Sequence, residues 1–430
     1  MTDRIQQCDV LVVGAGPAGM AASVRACELG AKVIVADDSP LAGGQIWRGN
    51  QYSRDDRSDS SRLIWTWFNR FQNSGAVLLS RTRIVTPLDT SLLLAEDDYG
   101  GIRIKYQSVV LATGARERLL PFPGWTLPNV LGAGGAQALE KAGLSLRGKR
   151  VVVAGSGPLL LAVAATLRRE GAAVEGVFEQ APRSQMWAFG ASLVMRPKML
   201  IQAATYLRHI GIKNYYQGWW PIAAKGQRAL SSLVVTDGNR VREIACDYVA
   251  CGYHLLPNTE LASMFGCHVE NGGVVVDANQ QSSVPGIYAA GEAVGVAGLE
   301  CALVEGEIAG GSAFGVGRQS RGLRRRRNSL RRMASTMNET FRLRPELRSI
   351  VADDTIICRC EDVSWGHVRR YGSMRSAKIH TRCGMGPCQG RVCGAALQFL
   401  AGWGGDTLRP PLYPVQLSTL LSGVRQKENI

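Results

Sequence analysis

Short apolar runs alternate with longer stretches of helical periodicity over most of this chain. Val10-Leu11-Val12-Val13 has strand character, and the Gly-rich stretch Gly14-Ala15-Gly16-Pro17-Ala18-Gly19 follows at once. Met20 to Leu29 then reads as a helix that Gly30 ends. Ala31 to Ala36 reads as a second strand, with Asp37 and Asp38 at its end. The pattern restarts at Val151-Val152-Val153-Ala154, with a second turn, Gly155-Ser156-Gly157-Pro158-Leu159-Leu160, and a further strand, Val174 to Phe178, ending in Glu179. Strands alternating with helices predict parallel sheets, and hence an α/β fold with two Rossmann-like dinucleotide-binding domains. The longest apolar run, Val151 to Leu167, is broken by Gly155, Ser156, Gly157 and Pro158, so it predicts strand, turn and helix rather than a membrane span. The N-terminus has no apolar core of signal-peptide type. A cytoplasmic location is expected, with peripheral contact at the inner membrane left open.

The first turn carries a definite chemistry. Gly14 permits a tight turn, Gly16 lets backbone approach a pyrophosphate, and Gly19 allows close helix–strand packing. The helix N-terminus offers free N–H groups and the positive end of its dipole to phosphate. Asp37, 18 residues after Gly19, is placed to accept hydrogen bonds from ribose hydroxyls. A dinucleotide is therefore expected, though Asp37 alone does not choose which one. In the second turn Leu160 stands where a third glycine would be, and a large side chain there should hold the helix off the strand. A working nicotinamide site and a relic that is now structural both remain open.

Composition refines this picture. The 430 residues are 46% apolar, enough for two or three domains with cores. The formal charge is +15, and the acid-free stretch holding Arg318, Arg321, Arg324, Arg325, Arg326, Arg327, Arg331 and Arg332 supplies eight of it, leaving +7 elsewhere. Such a run suits a nucleic acid, an anionic lipid or an acidic partner. No aromatic residues interleave the arginines, which favours a solvated linker or an internal docking face over nucleic acid.

Eleven cysteines in a chain expected to be cytoplasmic argue against a disulfide framework. Five of them fall between 358 and 393. Cys358 and Cys360 form C-x-C; after 27 residues, Cys388 and Cys393 form C-x4-C; Cys383 is an extra. Four thiolates suffice for a [2Fe–2S] centre, and they also suit structural zinc, though C-x-C is an uncommon zinc spacing.

Three further segments carry a family resemblance. Gly43-Gly44-Gln45-Ile46-Trp47-Arg48, Val109-Val110-Leu111-Ala112-Thr113-Gly114 and Gly286-Ile287-Tyr288-Ala289-Ala290-Gly291-Glu292 resemble the FAD-lining segments of flavoproteins with two dinucleotide-binding domains. The resemblance implies FAD as the cofactor, held by Gly14, Gly16, Pro17, Ala18, Gly19, Asp37, Asp38, Gly44, Gln45, Arg48, Ala112, Thr113, Gly114, Gly291 and Glu292. The family motif ends in Gly-Asp, so Glu292 is one methylene longer. In that family the second domain binds NAD(P). The cysteine pairs of disulfide reductases, C-x4-C near Gln45 or C-x2-C in the second domain, are missing from their expected places; Cys246 and Cys251 have the C-x4-C spacing but lie far along the second domain, away from the flavin segments.

Cys358-Arg359-Cys360-Glu361 and Arg382-Cys383-Gly384-Met385-Gly386-Pro387-Cys388-Gln389-Gly390-Arg391 resemble the bacterioferritin-associated-ferredoxin-like domain, a small helical [2Fe–2S] module. That family pattern implies Cys358, Cys360, Cys388 and Cys393 as ligands, with Cys383 spare or alternate. Together the two ends resemble the α-type subunits of D-hydroxyproline dehydrogenase, opine oxidases and hydrogen cyanide synthase.

The expected layout is an FAD domain at 1–145 and 277–320, an NAD(P)-binding-like domain at 146–276, a basic linker at 321–350 and the cluster domain at 351–430. The implied partners are a β-type flavoprotein subunit, a small γ-type ferredoxin-like subunit, and a quinone or other acceptor. No histidine of the five sits in a catalytic motif, which fits a chain that relays electrons while a partner binds substrate. A self-contained NAD(P)H-dependent reductase of a carrier protein is the alternative.

Overall fold

In the parallel sheet of each unit the strands are short and mostly apolar, as expected for parallel sheets covered on both faces. The computed structural model describes residues 4–48, 59–315, 321–404 and 408–424. It divides into two units: Met1–Arg116, Leu256–Ser335 and Leu408–Ile430; and Glu117–Leu255 with Thr336–Thr407.

The first unit is built on a parallel five-stranded sheet. Its order is Ile287–Ala289, Ser108–Leu111, Val10–Val13, Val33–Ala36, Val77–Leu79. The helix Pro17–Glu28 packs on it, and the helix Leu299–Ala313, buried nearly all round, packs on that helix. Small residues permit the contact. A β-carbon at Gly306 would overlap the Ala18 carbonyl, and one at Gly310 the Ala22 carbonyl. Gly310→Ala is therefore expected to lower stability by about 1–3 kcal/mol through overpacking, read as a fall in the urea midpoint.

The second unit repeats the plan. Its parallel sheet runs Val130–Gly132, Tyr248–Tyr253, Arg150–Ser156, Ala173–Glu179, Tyr215–Gln217. In each sheet the Gly-rich turn follows the middle strand, so both turns open at the carboxyl end of the sheet, where ligands of such folds bind. Leu160 is absorbed into this unit's apolar core with Val151, Val153, Val163 and Val177.

The observed grouping departs from the expected boundaries in three places. Val130–Gly132 pairs with Tyr248–Tyr253, which draws 117–145 into the second unit. The stretch expected as a linker holds the helix Arg321–Thr340, whose residues to 335 belong to the first unit; Arg318 lies outside the described residues. The chain after 407 leaves the cysteine module: the Gln416 N–H (3.0 Å) and the Thr419 hydroxyl (2.7 Å) both donate to Glu96 of the first unit. Among the described residues no helix is long and apolar enough to cross a membrane.

Candidate functional site

The first Gly-rich turn is shaped by close backbone approach. Gly14 sits at φ +102°, and a β-carbon there would overlap the Ala112 carbonyl; one at Gly19 would overlap the Gly14 carbonyl. Gly16 is different. A β-carbon there would have only the Gly44 Cα within 4 Å, at 3.8 Å, and its N–H has no partner among the described residues. That open, amide-lined position at the start of Pro17–Glu28 is the shape a pyrophosphate needs.

Asp37 fixes the turn. Its carboxylate accepts the Ala15 N–H at 2.5 Å and the Ser39 N–H at 2.7 Å, leaving one acceptor position on each oxygen. Burial pushes its pKa up, and those two amides pull it back. Asp38 beside it is exposed. The Gly43 N–H donates to the Ala15 carbonyl at 2.8 Å, which lays Gly44 against Gly16, while Trp47 is buried against Phe68. Gln45 and Arg48 are exposed. Ala112 hydrogen-bonds Val13, and Gly291 lies on Ala18. The structure thus brings Gly14 to Gly19, Asp37, Gly44, Ala112 and Gly291 together.

Two supports for this cradle were invisible in the sequence. Asn258 ties the Ala112-Thr113-Gly114 segment: its side-chain amide donates to the Thr113 carbonyl (2.9 Å), its N–H to the Gly114 carbonyl (2.9 Å), and its carbonyl accepts the Thr113 hydroxyl (2.6 Å). The second lies under Gly291-Glu292. Glu305, 0% exposed in the middle of Leu299–Ala313, accepts the Gly291 N–H at 3.1 Å. Arg331 donates to both Glu305 oxygens at 2.7 Å and to the Gly295 carbonyl at 2.8 Å, and Arg327 approaches at 3.5 Å. Two arginines of the basic run are therefore internal. The Glu292 carboxylate has no hydrogen-bond partner among the described residues; burial pushes its pKa up, and Arg331 opposes that. A half-buried carboxylate left open next to an amide-lined cradle fits a polar ligand such as the flavin's hydroxylated chain.

The second turn is arranged otherwise. Glu179, fully buried, accepts the Gly157 N–H at 2.8 Å and the Ala181 N–H at 2.9 Å. The amide that corresponds to the open one of Gly16 is thus already taken, by a carboxylate. The Ser156 hydroxyl donates to the Phe341 carbonyl at 3.0 Å; Gln180 donates to Ser156 (2.9 Å) and to the Arg342 carbonyl (3.1 Å), and accepts the Arg344 N–H (3.1 Å). His254, at φ +70°, pairs through Nε2 with Asn338 at 2.8 Å, and burial pushes its pKa down. The unit's own residues 338–344 thus cover the turn. Cys246 and Cys251 are buried free thiols pushed up to about 12 by burial, so neither is a ready nucleophile.

In the cysteine module, Cys358, Cys383 and Cys393 are buried, with their sulfurs all within 4.8 Å of one another. The Gly384 N–H donates to the Cys358 sulfur at 3.5 Å. Cys360 is exposed and Cys388 half-buried. Of the four ligands that the resemblance implied, the structure groups Cys358 with Cys393, and it sets Cys383 beside them. The soft donor set, with an amide aimed at sulfur, fits a thiolate-held metal centre. The module is anchored within its unit by the Trp125 indole N–H, which donates to the Ile356 carbonyl at 2.6 Å, and by Arg359, 5.2 Å from the Trp125 ring.

The pyridine nucleotide-disulphide oxidoreductase family matches residues 8–306, more than half of the chain. The chain belongs to that family. As a family member it is an FAD-dependent oxidoreductase, and its first cradle has the geometry for that cofactor. It is 31% identical to the HcnB subunit of hydrogen cyanide synthase from Pseudomonas protegens, over 93% of this chain and 91% of that protein. It is 33% identical to an opine oxidase subunit of Rhizobium meliloti, over 95% of this chain and 97% of that one. Among solved structures, the L-proline dehydrogenase of P. horikoshii shares the fold with a TM-score of 0.69 and 19% identity, covering 98% of this chain and 80% of that one.

If the open amide at Gly16 holds the pyrophosphate, Gly16→Ala should weaken FAD retention roughly tenfold or more, about 1.4 kcal/mol, while apo-protein stability is unchanged. Flavin fluorescence titration and thermal melting read the two halves of that expectation.

Proposed function

We propose that this chain is the electron-transfer subunit of a heteromeric amino- or imino-acid dehydrogenase or oxidase, with FAD in the first cradle and a [2Fe–2S] centre in the cysteine module. It relays electrons from a β-type flavoprotein subunit, which oxidises a D-hydroxyproline, opine or glycine-type substrate, to a quinone or another acceptor; a small ferredoxin-like subunit is a further candidate partner. The observation that carries this reading is the contrast between the two turns. One leaves its phosphate amide open, whereas the other has spent it on Glu179 and is covered by residues 338–344. A chain without an open nicotinamide cradle must be given its electrons by something else. The names of its relatives, subunits of hydrogen cyanide synthase and opine oxidase, support a multi-subunit setting.

Flavin can take up two electrons together and release them one at a time, and an iron–sulfur centre carries one, so the two together suit a relay between unlike carriers. The protein's own contributions are specific. Gly16 and the N-terminus of Pro17–Glu28 hold the phosphates; Asp37 orients the ribose; Glu305 and Arg331 hold the Gly291–Gly295 loop against the helix. Cys358 and Cys393, with Cys360, Cys388 and the adjacent Cys383, supply the thiolates.

Co-expression with a glycine-oxidase-like flavoprotein subunit tests the proposal. A stable complex should form, and anaerobic addition of the amino acid should bleach the visible bands of both chains. Bleaching confined to the partner, or no complex with any such subunit, would overturn it.

A further inference from the structure

From Gln180 to Thr236 the chain contains no aspartate or glutamate, although Arg183, Lys198, Arg208 and Lys213 lie within it and are exposed. The same stretch carries exposed large apolar side chains: Trp187 (78%), Val194 (66%), Ile201 (65%) and Ile212 (75%), with Leu200 also exposed. They fall on two consecutive helices, Arg183–Ser192 and Pro197–Ile210, the short 3-10 turn between them, and the turn that follows. These helices are not loosely attached. Phe189, Leu193 and Ile210 are buried, Phe189 stacks edge-on against Phe341 at 5.4 Å, and Arg168 clamps the Ile210 carbonyl at 2.6 Å. One side of the pair is therefore seated in its unit, while the other presents apolar side chains and cations to solvent.

An exposed tryptophan with branched aliphatics, flanked by cations and free of acids, has the composition of an interfacial helix on an anionic bilayer. The apolar groups enter the headgroup boundary, and the long basic side chains reach the lipid phosphates. Two copies of this chain meeting through this face would bring cations together with no carboxylate to answer them, which argues against self-association here. We infer that the pair Arg183–Ser192 and Pro197–Ile210 docks the protein on an anionic lipid surface. This inference is independent of the electron-relay reading, and it agrees with an acceptor dissolved in lipid.

Vesicle cosedimentation of the full-length flavoprotein tests it, using phosphatidylcholine vesicles with and without phosphatidylglycerol. The protein should partition to the anionic vesicles roughly tenfold or more better than to the neutral ones, and salt should reverse this. The double variant Trp187→Gln, Ile201→Gln should lose that partitioning by a similar factor while keeping its thermal midpoint and flavin spectrum. Tyr99→Gln, an exposed aromatic change in the other unit, should leave partitioning unchanged. Three results would overturn the inference. One is no preference for anionic vesicles. Another is partitioning that the double variant retains. The third is absence of vesicle binding together with loss of an acidic partner protein in that variant, which would make the face a protein interface.

Discussion

Arg331→Met is expected to destabilise the protein by about 3–5 kcal/mol, the range for breaking a buried ion pair from one side. Glu305 is fully buried, and Arg331 meets both of its oxygens at 2.7 Å. Methionine fills part of the volume but leaves the buried carboxylate with Arg327, at 3.5 Å, in place of the close two-pronged Arg331 contact. The lower end of the range applies if Arg327 closes in. The consequence should reach the cofactor, because the same guanidinium holds the Gly295 carbonyl and Glu305 holds the Gly291 N–H. Urea denaturation should show the lost stability, and the variant should be isolated depleted in flavin. Arg331→Lys, which keeps the charge but not the fork, should recover only part of each. By contrast Arg326→Met, at an exposed 3.5 Å contact with Glu300, should be close to neutral.

Glu179 predicts a pH dependence of comparable size. Burial raises its pKa from 4.5 to about 7, against the opposing pull of the Ala181 and Gly157 amides. Below pH 4.5 the group is protonated in both folded and unfolded chains. Between 4.5 and about 7 the unfolded chain ionises it while the folded chain holds the proton. Its contribution to stability therefore falls as pH rises through that window, by about 3 kcal/mol in all, and then levels off. Glu179→Gln cannot ionise and should lack this loss. Urea midpoints of both proteins at about pH 5 and about pH 8 check it: relative to the native protein, the variant should gain roughly that amount at the higher pH. The group that causes this dependence is also the one that takes the Gly157 amide, so the same buried acid makes the second turn a poor home for a phosphate.

How much of this was legible depended on whether the determinants were local. Gly14 to Gly19, the strand before them and Asp37 after them lie within thirty or so residues, and geometry follows from their order. The two Rossmann-like units were legible for the same reason. The state of the second turn was not, because its cover, residues 338–344, lies far along the chain from Ser156 and Gln180. Leu160 drew attention to the turn, yet the core simply absorbs it. The basic run read as a linker because charge normally means solvent. A signal to the contrary existed in Glu305 and Glu307, two acids within Cys-Ala-Leu-Val-Glu-Gly-Glu-Ile-Ala, a largely apolar helical stretch in which a buried acid needs a cation. Arg327 and Arg331 are four residues apart, on one face of their helix, and both point to Glu305. Asn258 carried no pattern at all. In the cysteine module the crowding of five cysteines pointed to a metal site, but which sulfurs lie together depends on how Gly384 and Gly386 fold the loop around Cys358 and Cys360.

A relay fed by a partner subunit takes no electrons from a nicotinamide. Anaerobic titration of the purified, FAD-loaded protein with NADH and with NADPH, followed by flavin absorbance, tests this. The oxidised flavin bands should persist at saturating concentrations of either nucleotide, whereas dithionite should bleach them. Rapid, saturable bleaching by NADH or NADPH would contradict it and would make the chain a self-contained reductase.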